Sequence, residues 1–157
     1  MPTTACRASI ATGTAIKTLL QLKPFVPIKI IEWGISFDGF AAALPGKVEL
    51  IETDVAATVT ALADADITKL DMISDGVAAS VAGLTLGTSA TGFNASAEGS
   101  IASVRSLDKT IFIPPTGPFV QQFSLGKEPI VQVAKFARIR VTFGTTVNAF
   151  PYLICEI

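Results

Sequence analysis

Side chains suited to chemistry at neutral pH are sparse in this chain. Histidine does not occur among its 157 residues. That removes Ser-His-Asp and Cys-His catalysis in their usual forms and most transition-metal sites. Two cysteines, Cys6 and Cys155, lie near opposite ends. They read as small apolar residues in a reducing compartment, as a staple joining the termini, or as a bond to a neighbouring subunit. Two cysteines without histidine make no ordinary zinc site.

The acidic side chains suggest little more. Asp64, Asp66, Asp71 and Asp75 form the densest cluster. Carboxylate oxygens suit Ca²⁺, but this spacing is not that of an EF-hand, and a solvated surface is the expected role. Glu32, Glu49 and Glu52 are carboxylates of the kind a glycosidase sets across a cleft, yet no pattern pairs them. Gly34-Ile35-Ser36-Phe37-Asp38-Gly39 approaches a nucleophile elbow, but its second glycine is one residue late and no helix or base follows. There is no Walker A sequence and no G-x-G-x-x-G loop.

Lys135, Arg138 and Arg140 make a short basic stripe beside Phe136. Nucleic-acid binding would want stacking aromatics on the same face, so a solvated face or an intersubunit ion pair is expected. Asn94-Ala95-Ser96 is a formal glycosylation sequon without a secretion signal. The expectation is therefore no catalytic residue, no cofactor and no metal, and a protein that is not an enzyme.

Composition points the same way. Half the residues are hydrophobic, 16% are charged, and mean hydropathy is +0.56. A spanning helix needs about 20 consecutive apolar residues. The best candidates, residues 24–35 and 130–143, are broken by Lys29 and Glu32 and by Lys135, Arg138 and Arg140. Burial against other chains is the better account, so no membrane partner is expected. Twelve basic and thirteen acidic side chains give a net charge of −1. This speaks against nucleic acid and favours association over repulsion.

The elements read as short strands. Residues 28–37 (IKIIEWGISF) are rich in β-branched and aromatic side chains, and Gly34 within them suggests a bulge or a close backbone approach. On this strand Trp33 and Phe37 are expected in the core, on one face with Ile31 and Ile35. Residues 47–53 (KVELIET) and 137–143 (ARIRVTF) alternate, the latter with Ile139, Val141 and Phe143 inward. Residues 15–22, 56–62, 107–113, 119–125, 129–133 and 147–157 are further strand candidates, and Pro151 pushes the last toward an edge or bulge. Residues 64–73 (DADITKLDMI) read as one or two helical turns capped by Asp64, with Ile67, Leu70 and Ile73 three apart. Residues 77–104, dominated by Ala, Ser, Gly and Thr, read as short strands with turns or as an arm lying on a neighbour.

The sum is an all-β chain: a single β-sandwich or jelly roll of about eight antiparallel strands. Residues 1–13 form an N-terminal arm, dispensable for folding, and residues 14–157 the jelly-roll-like domain.

Several stretches together resemble a family of small tailed-bacteriophage virion proteins. Glu32-Trp33-Gly34-Ile35-Ser36-Phe37-Asp38-Gly39 matches its first strand, and Val48-Glu49-Leu50 its second. Ser124-Leu125-Gly126-Lys127-Glu128, residues 138–142 and residues 147–156 match the later ones. Residues 77–104 have no counterpart, and Pro151 is a proline the pattern lacks. The resemblance implies a capsid decoration (cement) protein: a jelly roll, made in the host cytoplasm and seated on the virion surface. Its partners would be itself, as a homotrimer, and the major capsid protein. It carries no catalytic residues. The alternative is a receptor- or carbohydrate-binding β-sandwich of a phage fibre or tail. Against that stands an aromatic inventory of one Trp, one Tyr and ten Phe, since sugar sites favour Trp and Tyr.

Overall fold

A computed structural model describes residues 3–5, 9–38, 44–69 and 82–157. Its described residues form fourteen strands, seven in each of two sheets. In chain order they are β1 (Thr3–Ala5), β2 (Ile10–Ala11), β3 (Lys17–Leu22), β4 (Ile28–Asp38), β5 (Gly46–Thr53), β6 (Thr58–Ala61), β7 (Ile67–Lys69), β8 (Gly92–Ala97), β9 (Val104–Ser106), β10 (Ile111–Ile113), β11 (Phe119–Gln122), β12 (Ile130–Val131), β13 (Phe136–Thr142) and β14 (Asn148–Glu156). One sheet runs β11-β4-β14-β1-β7, with β12 also on β4 and β2 on β14. The other runs β10-β5-β13-β3-β8-β6, with β9 also on β5. Every strand pair is antiparallel. The architecture is a β-sandwich.

Four chain segments each cross from one sheet to the other, which reconciles fourteen strands with an expectation of about eight. Residues 3–22 supply β1 and β2 to the first sheet and β3 to the second. Residues 28–53 supply β4 and β5, residues 104–131 supply β9 to β12, and residues 136–156 supply β13 and β14. Strands β4 and β5 of the segment 28–53 both pair with 136–156 on one side and with 104–131 on the other. This is a ribbon rolled over the core, giving four strand positions per sheet. β6, β7 and β8 extend both sheets beyond it.

Alternating inward side chains fill the space between the sheets. Trp33, Ile35, Leu50, Ile139, Leu20, Leu22 and Leu153 are all buried in one cluster. Trp33 packs on Phe119 with ring centroids 5.1 Å apart, and Phe37 meets Phe143 edge-on at 5.4 Å. Trp33 and Ile35 are thus core as expected, and Phe37 is packed against them. Ile31 is not on their face. The β4–β14 register shifts between Ile154, opposite Glu32, and Cys155, opposite Ile30. Ile31 is the extra residue of that bulge, which moves the inward phase from Ile28 and Ile30 to Trp33 and Ile35.

Gly34 makes the close approach expected of it. A Cβ there would lie 2.4 Å from Tyr152 Cε1 and 2.8 Å from the Phe119 carbonyl oxygen. Tyr152 is its register partner, so the tyrosine ring covers the hole that glycine leaves in the outer face.

Three expectations are corrected. The described part of the N-terminal arm is sheet, not loose chain: β1 lies between β14 and β7, and Ile10 of β2 is 2% exposed. Residues 64–73 do not form the expected helix. Asp64–Asp66 is a 3₁₀ turn, in which the Asp66 carboxylate accepts from Ala63 N–H at 2.8 Å, and Ile67 already belongs to β7. The partner strand β1 decides the matter, since three ladder positions hold Ile67–Lys69 extended. Leu70 and Ile73 lie outside the described residues. Pro151 sits mid-sheet rather than at an edge. β1 registers with Leu153 to Cys155 and β2 with Asn148 and Ala149, so the proline falls between two short partners. Its missing N–H costs no ladder position on that side among the described residues. Of residues 77–104, the described portion includes strand β8 inside the second sheet.

Candidate functional site

Glu32, Glu49, Glu52, Arg138 and Arg140, singled out above, are bonded within the fold. Glu32 accepts from the Tyr152 hydroxyl at 2.6 Å. Burial and that carboxylate push the tyrosine above its ordinary range. Glu49 accepts from Arg140 Nε at 2.7 Å, and Glu52 takes a two-point contact from Arg105 at 3.1 and 2.8 Å. Glu32 is on the first sheet and the other two share β5, so the three do not pair across a cleft. Ser36 lies inside β4, with no strand-to-helix turn around it. Asp64 and Asp66 flank the 3₁₀ turn, while Asp71 and Asp75 lie outside the described residues. Among the described residues no group of acidic or cysteine side chains has metal-ligand geometry.

The basic stripe is not a solvated face. Arg138 points outward from β13 as the alternation implied, yet its side chain is 0% exposed. Chain folded over the second sheet covers it. Its Nη1 donates to the Glu98 carbonyl at 3.1 Å and its carboxylate at 3.3 Å, and Nη2 donates to the Val55 carbonyl. Glu98 also accepts from the Thr18 hydroxyl at 2.6 Å. Burial lowers the Arg138 pKa and the Glu98 charge opposes that shift. Cys155 is a free buried thiol, pushed by burial up to about 12; Cys6 lies outside the described residues. Asn94 is exposed at φ 54°, where β8 bulges against β6.

A different surface stands out. Among the described residues segment 104–131 pairs only with segment 28–53 and forms one edge of each sheet. Its edge backbone groups face no other strand among the described residues. Of the ten exposed large hydrophobic side chains among those residues, five lie on it: Val104, Phe112, Val120, Leu125 and Ile130. Val133 follows directly.

On this edge a knob sits beside a hole. Lys127 N–H donates to the Ser124 carbonyl at 2.8 Å, and Gly126 has φ +80°. That is a tight turn whose third residue needs positive φ, with glycine there. It displays Leu125 at 98% exposure, about as far into solvent as a leucine reaches. Next to it lies an open cavity of about 480 Å³ lined by Ile31, Gln122, Phe123, Ser124, Leu125, Glu128 and Glu156. The β4 bulge places Ile31 here, and the Ile31 carbonyl accepts from Phe123 N–H at 2.9 Å to hold the wall. Backbone N–H groups of Glu128 and Gly126 keep the Glu128 carboxyl below its usual range. Lys29, opposite Glu156 in the ladder, is the neighbouring cation.

Sequence reasoning missed this site. The Gly126 turn was visible, but nothing in the pattern marked Leu125 as exposed or Ile31 as displaced. No protein-family model matches the chain, and no curated protein or solved structure matches it significantly. No helix among the described residues is long and apolar enough to cross a membrane.

Proposed function

We propose that this chain is a virion structural protein: a capsid decoration (cement) protein that stabilises a tailed-phage head by binding the major capsid lattice as a homotrimer. The observation that carries the reading is the apolar edge 104–131 of the β-sandwich. Glu49, Glu52 and Glu98 are all spent on intrachain cations. The edge 104–131 offers a partner apolar surface and strand edge, which suit protein–protein assembly rather than catalysis. The resemblance to small virion proteins supplies the class of assembly. Repeated weak contacts across a lattice then add through multivalency.

The aromatic side chains favour assembly over sugar recognition. Trp33 is buried and its indole N–H is bonded to Asp108, and the Tyr152 hydroxyl is taken by Glu32. Neither ring offers the wet polar edge that sugar stacking uses.

The test is co-sedimentation of the purified chain with empty tailed-phage heads stripped of small surface proteins. Saturable pelleting in multiples of three copies per site is expected. Failure to pellet, together with a specific glycan-array signal, would overturn the reading in favour of a receptor-binding role.

A further inference from the structure

We propose that Arg140 and Lys47, on the outer face of the second sheet, form a clamp for a carboxylate side chain carried by a partner protein, with Phe112 as the apolar wall beside it. This rests on the reading that the chain binds another protein, and it names the chemistry of the group that is taken.

Strand register places the three residues together. Val48, Leu50, Ile139 and Val141 are buried in the core, so Lys47, Glu49 and Arg140, which alternate with them, point to the outer face. Phe112 points there too, since Ile111 and Ile113 on either side of it pack on the core. Phe112 stands opposite Lys47, and Glu49 stands opposite Arg140. Strands β10, β5 and β13 therefore bring a ring, an ammonium and a guanidinium to one patch. Glu49 ties the two cations to each other. Its Oε1 accepts from Arg140 Nε at 2.7 Å, and its Oε2 lies 3.5 Å from Lys47 Nζ.

The guanidinium is held but not filled. It has five N–H donors in a rigid fork. Arg140 gives the Nε–H to Glu49, and its Nη1 and Nη2 bond nothing among the described residues. Both remain within reach of solvent, on a side chain that keeps 14% exposure. Arg138 is different, because Glu98 and the Val55 carbonyl occupy both of its terminal nitrogens. A fixed guanidinium edge with its terminal N–H groups open matches a carboxylate at two points.

Charge on this face calls for an anion. Lys47, Arg138 and Arg140 meet two carboxylates, Glu98 and Glu49. Glu98 goes to Arg138, so Glu49 alone serves the other two cations. Asp54, at the end of β5, takes the Ser103 N–H and has Lys135 beside it. One negative charge is missing beside Arg140 and Lys47, and an incoming carboxylate supplies it. The resident Glu49 repels a doubly charged phosphate more than a singly charged carboxylate. Phe112, 69% exposed on the apolar edge 104–131, adds a contact for the apolar neighbour that a protein side chain brings and a free anion does not.

The experiment is fluorescence anisotropy on the full chain with a labelled synthetic peptide that alternates glutamate and leucine. It is run at low salt, where screening is weak, with thermal melts as the folding control. Saturable binding is expected. Lys47→Gln should weaken it about tenfold. Arg140→Lys should weaken it about as much, because an ammonium keeps the charge and loses the fork. Phe112→Ser should weaken it with an unchanged melt. Lys109→Gln, which removes a cation elsewhere on the edge, should bind as wild type does. No binding at low salt, or binding that survives both cation variants, would overturn the clamp. Inorganic phosphate that displaces the peptide at equal concentration would overturn the choice of carboxylate. Co-sedimentation with phage heads separates the clamp from the reading it rests on. Heads that pellet wild type and Lys47→Gln alike would overturn the clamp as the assembly contact and leave the decoration role standing. A wild-type chain that binds the peptide but not the heads would overturn the decoration role and support the clamp.

Discussion

The indole Nε1–H of Trp33 donates to Asp108 Oδ2 at 2.8 Å. This one bond ties the centre of β4 to the loop between β9 and β10, on the edge segment. Trp33 has no exposed surface, so its N–H has no access to water as a substitute. Asp108→Ala should cost about 1–3 kcal/mol in urea denaturation, the range for leaving a buried donor unmet. Trp33→Ala should cost about 3–5 kcal/mol as a large-to-small core change. In a Trp33→Phe background the Asp108→Ala cost should shrink. An undiminished cost would show that the bond is not what Asp108 contributes.

Arg138 and Glu98 form a pair whose basic side chain is wholly buried. Removing one partner strands the other charge in a poor solvent. Glu98→Ala should therefore destabilise by about 3 kcal/mol, the lower end for breaking a buried pair, because Glu98 keeps 21% exposure. Replacing both, as Arg138→Met with Glu98→Leu, should cost less than Glu98→Ala alone. Denaturant midpoints of the two variants decide it. A double variant weaker than the single one would mean that the pair gives more than it costs to bury.

Acid should unfold the chain partly through Asp54. Its Oδ1 accepts from Ser103 N–H at 3.0 Å, and this bond is the main reason its pKa lies below the ordinary 3.8. A carboxyl depressed in the folded state binds its proton more readily once unfolded. Its contribution is complete above the unfolded value and is lost as pH falls through the folded one. Thermal midpoints should hold as pH drops toward 3.8 and then decline. In Asp54→Asn the decline should be shallower. Parallel acid curves would assign the loss to other groups.

The first residues should matter for folding. Ile10 is buried in the main cluster, and Thr12 accepts from Val147 N–H at 3.1 Å through its hydroxyl. Ile10→Ala should lose roughly 2–5 kcal/mol. Deleting residues 1–13 removes that contact and both ladders of β1 with it, so a lower melting temperature is expected. A deletion variant that melts like the full chain would restore the dispensable arm.

Much of the sandwich was legible because inward residues alternate. Val48 and Leu50 on β5 and Ile139 and Val141 on β13 declare their faces locally, and each pair is fully buried. Features set by distant partners were not legible. Ile31 shares its parity with Trp33 and Ile35, and only the register of β14 shows that it is a bulge. Thr3–Ala5 has no strand signal of its own and is held by β14 and β7. The i, i+3 spacing of Ile67, Leu70 and Ile73 fits a helix as well as a strand that happens to start at Ile67. Arg138 reads as surface until Glu98, forty residues away, folds over it. The knob and cavity belong to this second kind: Leu125 is local, but its cavity needs β4, β11 and β14 together.

The rolled ribbon also sets an order of events. Residues 3–22 find most of their ladder partners among residues 136–156, with others on β7 and β8, and residues 28–53 find theirs beyond residue 103. Hardly any of the main ladder joins neighbours in sequence. A chain emerging from the ribosome therefore completes the second sheet only once β13 has been made, and the first only once β14 has. Topologies so rich in distant contacts fold slowly, in milliseconds to seconds. Through that interval the apolar strands lie open to one another on separate chains. A concentrated pool of this protein thus depends on the gap between synthesis and closure as much as on the stability of the finished sandwich.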